Sequence, residues 1–108
     1  MGAASRGCAL GGVNSAMAVF VDDAFLPFGR MKMCHMVADS DEELIEIATR
    51  LGLNRKWHQH PGTYRSHFDV CSSKRRLAID QGATPITWRE LAIKLVEKRE
   101  RPGATREN

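Results

Sequence analysis

The sequence predicts a small α/β domain, two- or three-layered with a partly parallel sheet, and three observations carry that reading. A short apolar run, Val19-Phe20-Val21, stops at Asp22 and Asp23, as a buried strand does where its carboxyl end meets solvent. Two later segments place apolar residues at helical spacing behind a capping box. Strand-like and helix-like segments alternate in the order β-β-α-loop-α-β-α, which favours at least some parallel pairing.

Met17 to Val21 forms the first expected strand, and Ala24 to Arg30, with Pro27 and Gly29, an expected loop. Met31 to Val37 reads as a second strand. Ser40 to Leu51 is the clearest helix. Ser40 and Glu43 make a capping box, and Asp41 to Glu43 suit the positive end of the helix dipole. Leu44, Ile47, Ala48 and Leu51 share one face, and Gly52 suits a left-handed terminus. Asn54 to His67 lacks periodicity and reads as a long irregular stretch, of a length that is usually functional or disordered.

Asp69 to Gln81 reads as a second helix, with Asp69, Ser72 or Ser73 as its N-cap and Gly82 closing it. Thr84 to Ile86 is a short strand. Thr87 and Glu90 form a second capping box, ahead of a stripe of Trp88, Leu91, Ala92, Leu95 and Val96.

The chain of 108 residues fits one domain, with a thin core. Residues 1–16 read as a flexible extension, 17–100 as the domain and 101–108 as a polar tail. The Gly-, Ala- and Ser-rich start lacks the apolar stretch of a signal peptide, and no apolar run is long enough to span a membrane. Cys8, Cys34 and Cys71, an odd number without a C-x-x-C pair, argue against a disulfide framework or a zinc ribbon. They are expected as free thiols in a reducing cytoplasm. The net charge of +3 permits binding to nucleic acid or phosphorylated ligands without requiring it. Charge is segregated: Asp39 to Glu46 holds acids and no base, whereas Arg55 to Arg76 holds six bases against Asp69 alone.

An ordered series of short motifs stands out. It comprises Val19-Phe20-Val21-Asp22-Asp23, Phe28-Gly29-Arg30-Met31, Cys34-His35-Met36, Asp39 with Glu43-Leu44, Trp57-His58-Gln59, His67-Phe68-Asp69 and Lys74-Arg75. Over about residues 17–90 this series resembles a family of small bacterial and phage proteins classed as a domain of unknown function. The resemblance implies a domain boundary near Met17 and no particular activity. A strand ending in paired aspartates is also similar to receiver-like and other Rossmann-like phosphohydrolase and nuclease domains, where such acids hold a divalent metal.

Four groups of residues could carry chemistry. Asp22 and Asp23 are hard oxygen ligands suited to Mg²⁺ or Mn²⁺, beyond a strand's carboxyl end; the alternative is that they solvate that end. His67 and Asp69 share one side of an extended segment, so Asp69 could orient His67 as a general base, or instead cap the next helix. Cys34 and His35 point to opposite faces, with His35 on the side of Met33 and Val37. Arg30, Lys74 and Arg75 are expected to bind phosphate, while Trp57, His58 and Gln59 could contact a ligand or, for Trp57, cover the core. Together these favour a phosphate-directed, divalent-metal-dependent hydrolase or nuclease-like site. The alternative is a non-enzymatic binding module for nucleic acid or a host protein, using Arg55 to Arg76.

Overall fold

The computed structural model describes residues 18–100; the expected N-terminal extension and C-terminal tail lie outside the described residues. The elements are β1 (Val19–Val21), β2 (Leu26–Phe28), β3 (Met31–Ala38), α1 (Asp41–Arg50), a 3-10 turn (Arg55–Trp57), β4 (Phe68–Cys71), α2 (Ser72–Asp80), β5 (Thr84–Pro85) and α3 (Trp88–Glu100). The fold is α/β, with a mixed five-stranded sheet.

β3 is the spine of the sheet. Met36 pairs with Val21 of β1 and with Phe68 of β4, so those two strands lie on opposite edges of β3. Met33 likewise pairs with Leu26 of β2 and Cys71 of β4. β1 and β2 therefore follow one another along the same edge as one interrupted strand. Residues 22–25 fill the interruption and face only Cys34 and His35 on β3. This is an enlarged bulge, a device that re-aims side chains. Phe25 within it has a left-handed φ of 46°, strained backbone for a bulky residue. Among the described residues the single parallel pairing is β1 with β5, and the other pairs are antiparallel.

Strand alternation divides the sheet into two faces. Val19, Val21, Cys34, Met36, Phe68 and Val70 point to one side, where they pack with Leu44, Ile47 and Ala48 of α1 and Ala78 of α2. Phe20, His35, Val37 and Asp69 point to the other. α3 crosses that second face at the Phe20 and Val37 end. Lys94 Nζ lies 4.1 Å from the centre of the Phe20 ring, and Lys98 Nζ donates to the Ala38 carbonyl at 2.8 Å. The result is three layers, the third covering only part of the sheet.

The helix ends follow their local chemistry. Ser40 Oγ accepts from the Glu43 amide, and the Ser40 hydroxyl donates to the Glu43 carboxylate. Thr87 and Glu90 complete the reciprocal box at α3. Beyond α1, Gly52 (φ 77°) lets Leu53 N–H reach the Ala48 carbonyl at 2.9 Å, a Schellman ending.

Three expectations are corrected. Residues 26–28 form an edge strand and not a loop: Pro27 has no amide to donate, and an edge position needs none on its outer side. Residues 69–71 belong to β4, and α2 begins at Ser72. Its N-cap is Cys71, with no side-chain cap, so Asp69, Ser72 and Ser73 do not fill that role. Pairing with β3 holds Phe68–Cys71 extended. In α3, Leu91 is buried, but Trp88, Ala92 and Val96 are exposed because the third layer stands away from the sheet. Among the described residues no helix is long and apolar enough to cross a membrane.

Candidate functional site

The gap between α3 and the second sheet face is a cleft of about 460 Å³. Its floor is Asp22, His35, Val37 and His67. Leu26 flanks it, Arg65 enters from the loop, and Trp88, Leu91 and Leu95 form the α3 wall. The apolar stripe read from the α3 sequence is thus a cleft wall as well as a packing face.

Asp22 organises the floor. The bulge turns its side chain inward, and it is fully buried. One oxygen accepts from the backbone amides of His35 (2.8 Å) and Ala24 (3.3 Å), and the other meets His35 Nδ1 at 2.7 Å. Burial pushes the Asp22 carboxyl up, but the hydrogen bonds from His35 and the nearby imidazole outweigh it and hold the acid below its usual range. Reciprocally, the bond to Asp22 raises the His35 pKa above that of a free imidazole, against the opposing effect of burial.

His67 sits beside His35 with ring centres 5.5 Å apart. Its Nδ1 lies 2.8 Å from the Arg65 carbonyl, which only accepts, so Nδ1 carries a proton and Nε2 is left as the basic atom of the neutral ring. Burial lowers the pKa of His67, more than its bond to Arg65 and the charge of Asp69 raise it. The two imidazoles are therefore displaced in opposite directions. Each has its Nδ1 tied, and each turns Nε2 toward Asp69 Oδ1, at 3.9 Å from His35 and 3.4 Å from His67. Gln59 Nε2 donates to the other Asp69 oxygen at 2.8 Å, and a backbone bridge between Gln59 and His67 fixes the pair alongside β4.

The structure thus gathers Asp22, His35, Gln59, His67 and Asp69. Asp23 is exposed and points away, accepting from the Trp88 amide at 2.8 Å. Asp22 and Asp23 do not converge, and among the described residues no group of three or more His, Cys, Asp or Glu could hold a metal ion. Arg30 is exposed in the β2–β3 turn. Arg75 donates to the Asp22 carbonyl and lies over the Phe25 ring. Lys74 donates to the Leu51 carbonyl at the end of α1. None of these three cations lines the cleft.

His58 stacks on Phe68, and its Nε2 contacts Ser66 Oγ at 2.6 Å, while the Ser66 hydroxyl donates to Asp41 Oδ1. Asp41 also accepts from the Gly62 amide, so this chain of bonds pins the irregular stretch 54–67 to α1. Trp57 is 60% exposed and does not cover the core. It borders a second slot of about 420 Å³, lined also by Phe28, Met31, Met33 and Cys71 and by the polar Gln59, Asp69 and Lys74.

A family model described as "Protein of unknown function (DUF4031)" matches residues 19–98. The chain belongs to this family. No curated protein and no solved structure matches it. The matched span of DUF4031 contains every residue of the cleft floor and the α3 wall. Arg65 is one of six Lys and Arg residues between Arg55 and Arg76, and it lies in a turn, so nothing local in the sequence sets it apart; the loop carries it to the cleft beside His67.

Proposed function

We propose that this DUF4031 domain is an acid–base enzyme that cleaves phosphoesters in the α3 cleft. One observation carries the reading: His35 and His67 converge through Nε2 while Asp22 and the Arg65 carbonyl hold the opposite ring atoms. Two titratable groups whose surroundings push them apart divide acid from base. His35, the more basic imidazole, is the proton donor, and Asp22 fixes its orientation as it would in any histidine–carboxylate pair. His67, kept neutral by burial, is the acceptor. Arg65 supplies positive charge for a phosphate, and Asp69 with Gln59 positions both rings. Asp22 takes no metal in this reading, because three protein donors already occupy its carboxylate.

The test is turnover of an activated aryl phosphodiester and of nucleic acid, in EDTA, by the wild type and by His35→Ala and His67→Ala. Each variant is expected to lose about 10²–10⁴-fold. Absence of turnover on every phosphoester, or turnover unaffected by either substitution, sinks the proposal.

A second reading, a non-enzymatic module that docks on a protein, is favoured by the exposed apolar side chains Leu26, Phe28, Met31 and Trp57. Under it, Phe28→Ser together with Met31→Ser abolishes capture of the partner and His35→Ala does not.

A further inference from the structure

We infer that the substrate is single-stranded RNA, cleaved by attack of its own 2′-hydroxyl, with the adjoining base held in the Trp57 slot; this rests on the phosphoester reading above.

The first argument concerns the nucleophile. Among the described residues, the cleft lining offers two imidazoles, a carboxylate, a guanidinium and apolar groups, but no Ser, Thr, Cys, Tyr or Lys. Cys34 lies on the opposite sheet face and is fully buried. The Ser66 hydroxyl is buried and committed to Asp41. With both imidazoles engaged in proton transfer and the Asp22 carboxylate holding three hydrogen bonds, no side chain is left to form a covalent intermediate, so the attacking oxygen comes from the substrate or from water. A nucleophile already attached next to the phosphate has a large advantage in effective concentration. RNA carries one and DNA does not.

The second argument is the pairing of proton acceptor with proton donor. Attack of a 2′-hydroxyl needs one proton removed and one delivered at the same phosphorus, and the two imidazoles stand side by side, ring centres 5.5 Å apart and each Nε2 within 3.9 Å of Asp69 Oδ1, close enough to serve one phosphorus beside that carboxylate. The 2′-hydroxyl gives its proton to His67 Nε2 as the O2′–P bond forms. The P–O5′ bond breaks, and the departing O5′ takes the proton from His35 Nε2. The products are a 2′,3′-cyclic phosphate and a 5′-hydroxyl. One proton has passed from His35 to His67, and exchange with solvent restores both. Arg65 meets the charge on the phosphoryl oxygens.

The third argument is the neighbouring slot. Asp69 borders it and also faces both imidazoles, so the slot and the acid–base pair are adjacent. Trp57 is exposed there beside Phe28, Met31 and Met33, an arrangement suited to a flat, unpaired base. Lys56 Nζ lies 5.2 Å from the Trp57 ring centre, which adds positive charge near the path of the strand. A base already paired in a duplex could not enter, which limits the substrate to single strands.

The experiment incubates the full chain, in EDTA, with a single-stranded RNA oligonucleotide, its all-DNA counterpart and a chimera carrying one 2′-deoxy position. An activated aryl phosphodiester is run in parallel. RNA is expected to be cleaved to 2′,3′-cyclic phosphate and 5′-hydroxyl ends, with DNA slower by more than about 100-fold and the chimera uncut at its deoxy position. Trp57→Ala, at an exposed site, is expected to raise KM several-fold with kcat little changed. Cleavage of DNA at the RNA rate, or products with 5′-phosphate ends, overturns the 2′-hydroxyl mechanism while leaving the phosphoester reading standing. An unchanged KM in Trp57→Ala overturns the base slot. Failure on RNA, DNA and the aryl diester together overturns both.

Discussion

Asp22 and His35 face each other across the bulge that interrupts the β1–β2 edge, with His35 Nδ1 2.7 Å from Asp22 Oδ2 and the carboxylate completely shielded from solvent. The same carboxylate accepts the His35 backbone amide, so it holds both the strand and the ring. Support of the fold and orientation of the imidazole therefore rest on one side chain.

Asp22→Asn keeps the shape and removes the charge. It is expected to lower stability by about 1.5–3 kcal/mol, the range for a hydrogen bond to a charged group. It should also bring the His35 pKa down toward that of a free imidazole. Urea unfolding and an NMR titration of the ring check the two effects separately. A His35 pKa unmoved by the substitution would show that Asp22 is not what raises it.

The histidines set opposite slopes of stability against pH. His35 titrates above its unfolded value of 6.5, so its contribution is complete below pH 6.5 and is lost as pH rises through its folded pKa. His58 and His67 titrate below theirs, both through burial, so stability falls as pH drops from 6.5 through their folded values. The expected profile peaks near pH 6.5 and declines on both sides. In His35→Gln the alkaline decline should flatten. Asp22 adds a further loss as pH falls from 3.8 through its depressed folded pKa. Thermal melts across pH 3–9 read all of this, and a rising alkaline limb in the wild type would contradict it.

Ser66→Ala removes the hydroxyl that joins His58 to Asp41 and leaves the buried His58 Nε2 without its partner. A cost of about 1–3 kcal/mol is expected. Because the change acts where residues 54–67 are pinned to α1, amide exchange should accelerate first at Gly62 and His67. Uniform acceleration through the sheet would mean that Ser66 serves the core and not the loop.

The two described cysteines should differ in reactivity. Burial shields Cys34 and pushes its thiol pKa up. Cys71, partly exposed at the start of α2, has its pKa lowered by the Ser73 hydroxyl. Iodoacetamide at neutral pH should label Cys71 well before Cys34, as peptide mass mapping would show. Equal labelling would require that the sheet opens as readily as its edge.

Phe68 is fully buried against both β3 and His58. Phe68→Ala is expected to cost about 3–5 kcal/mol, a large share of a small domain's stability. Chemical denaturation measures it, and a loss under about 1 kcal/mol would mean that the site collapses to fill the cavity.

Local signals in the sequence determined α1 and the start of α3, because caps and apolar spacing act within a few residues: Ser40 with Glu43, Gly52, and Thr87 with Glu90 mark those ends unaided. They also singled out Asp22, His35, His67 and Asp69 as chemically interesting, since strand alternation alone puts His67 and Asp69 on one side. Other features depend on pairing across the chain. Residues 26–28 become a strand only because β3 offers them an edge, and 68–71 stay extended only because β3 pairs with them. Separating Asp22 from Asp23 is likewise a tertiary decision: the bulge turns one to His35 and leaves the other for the amide of Trp88, and no local preference distinguishes two adjacent aspartates. The cleft itself exists because α3 covers one end of a sheet face and not the other. That depends on where β5 delivers the chain beside β1, and strand register is set by contacts between distant residues.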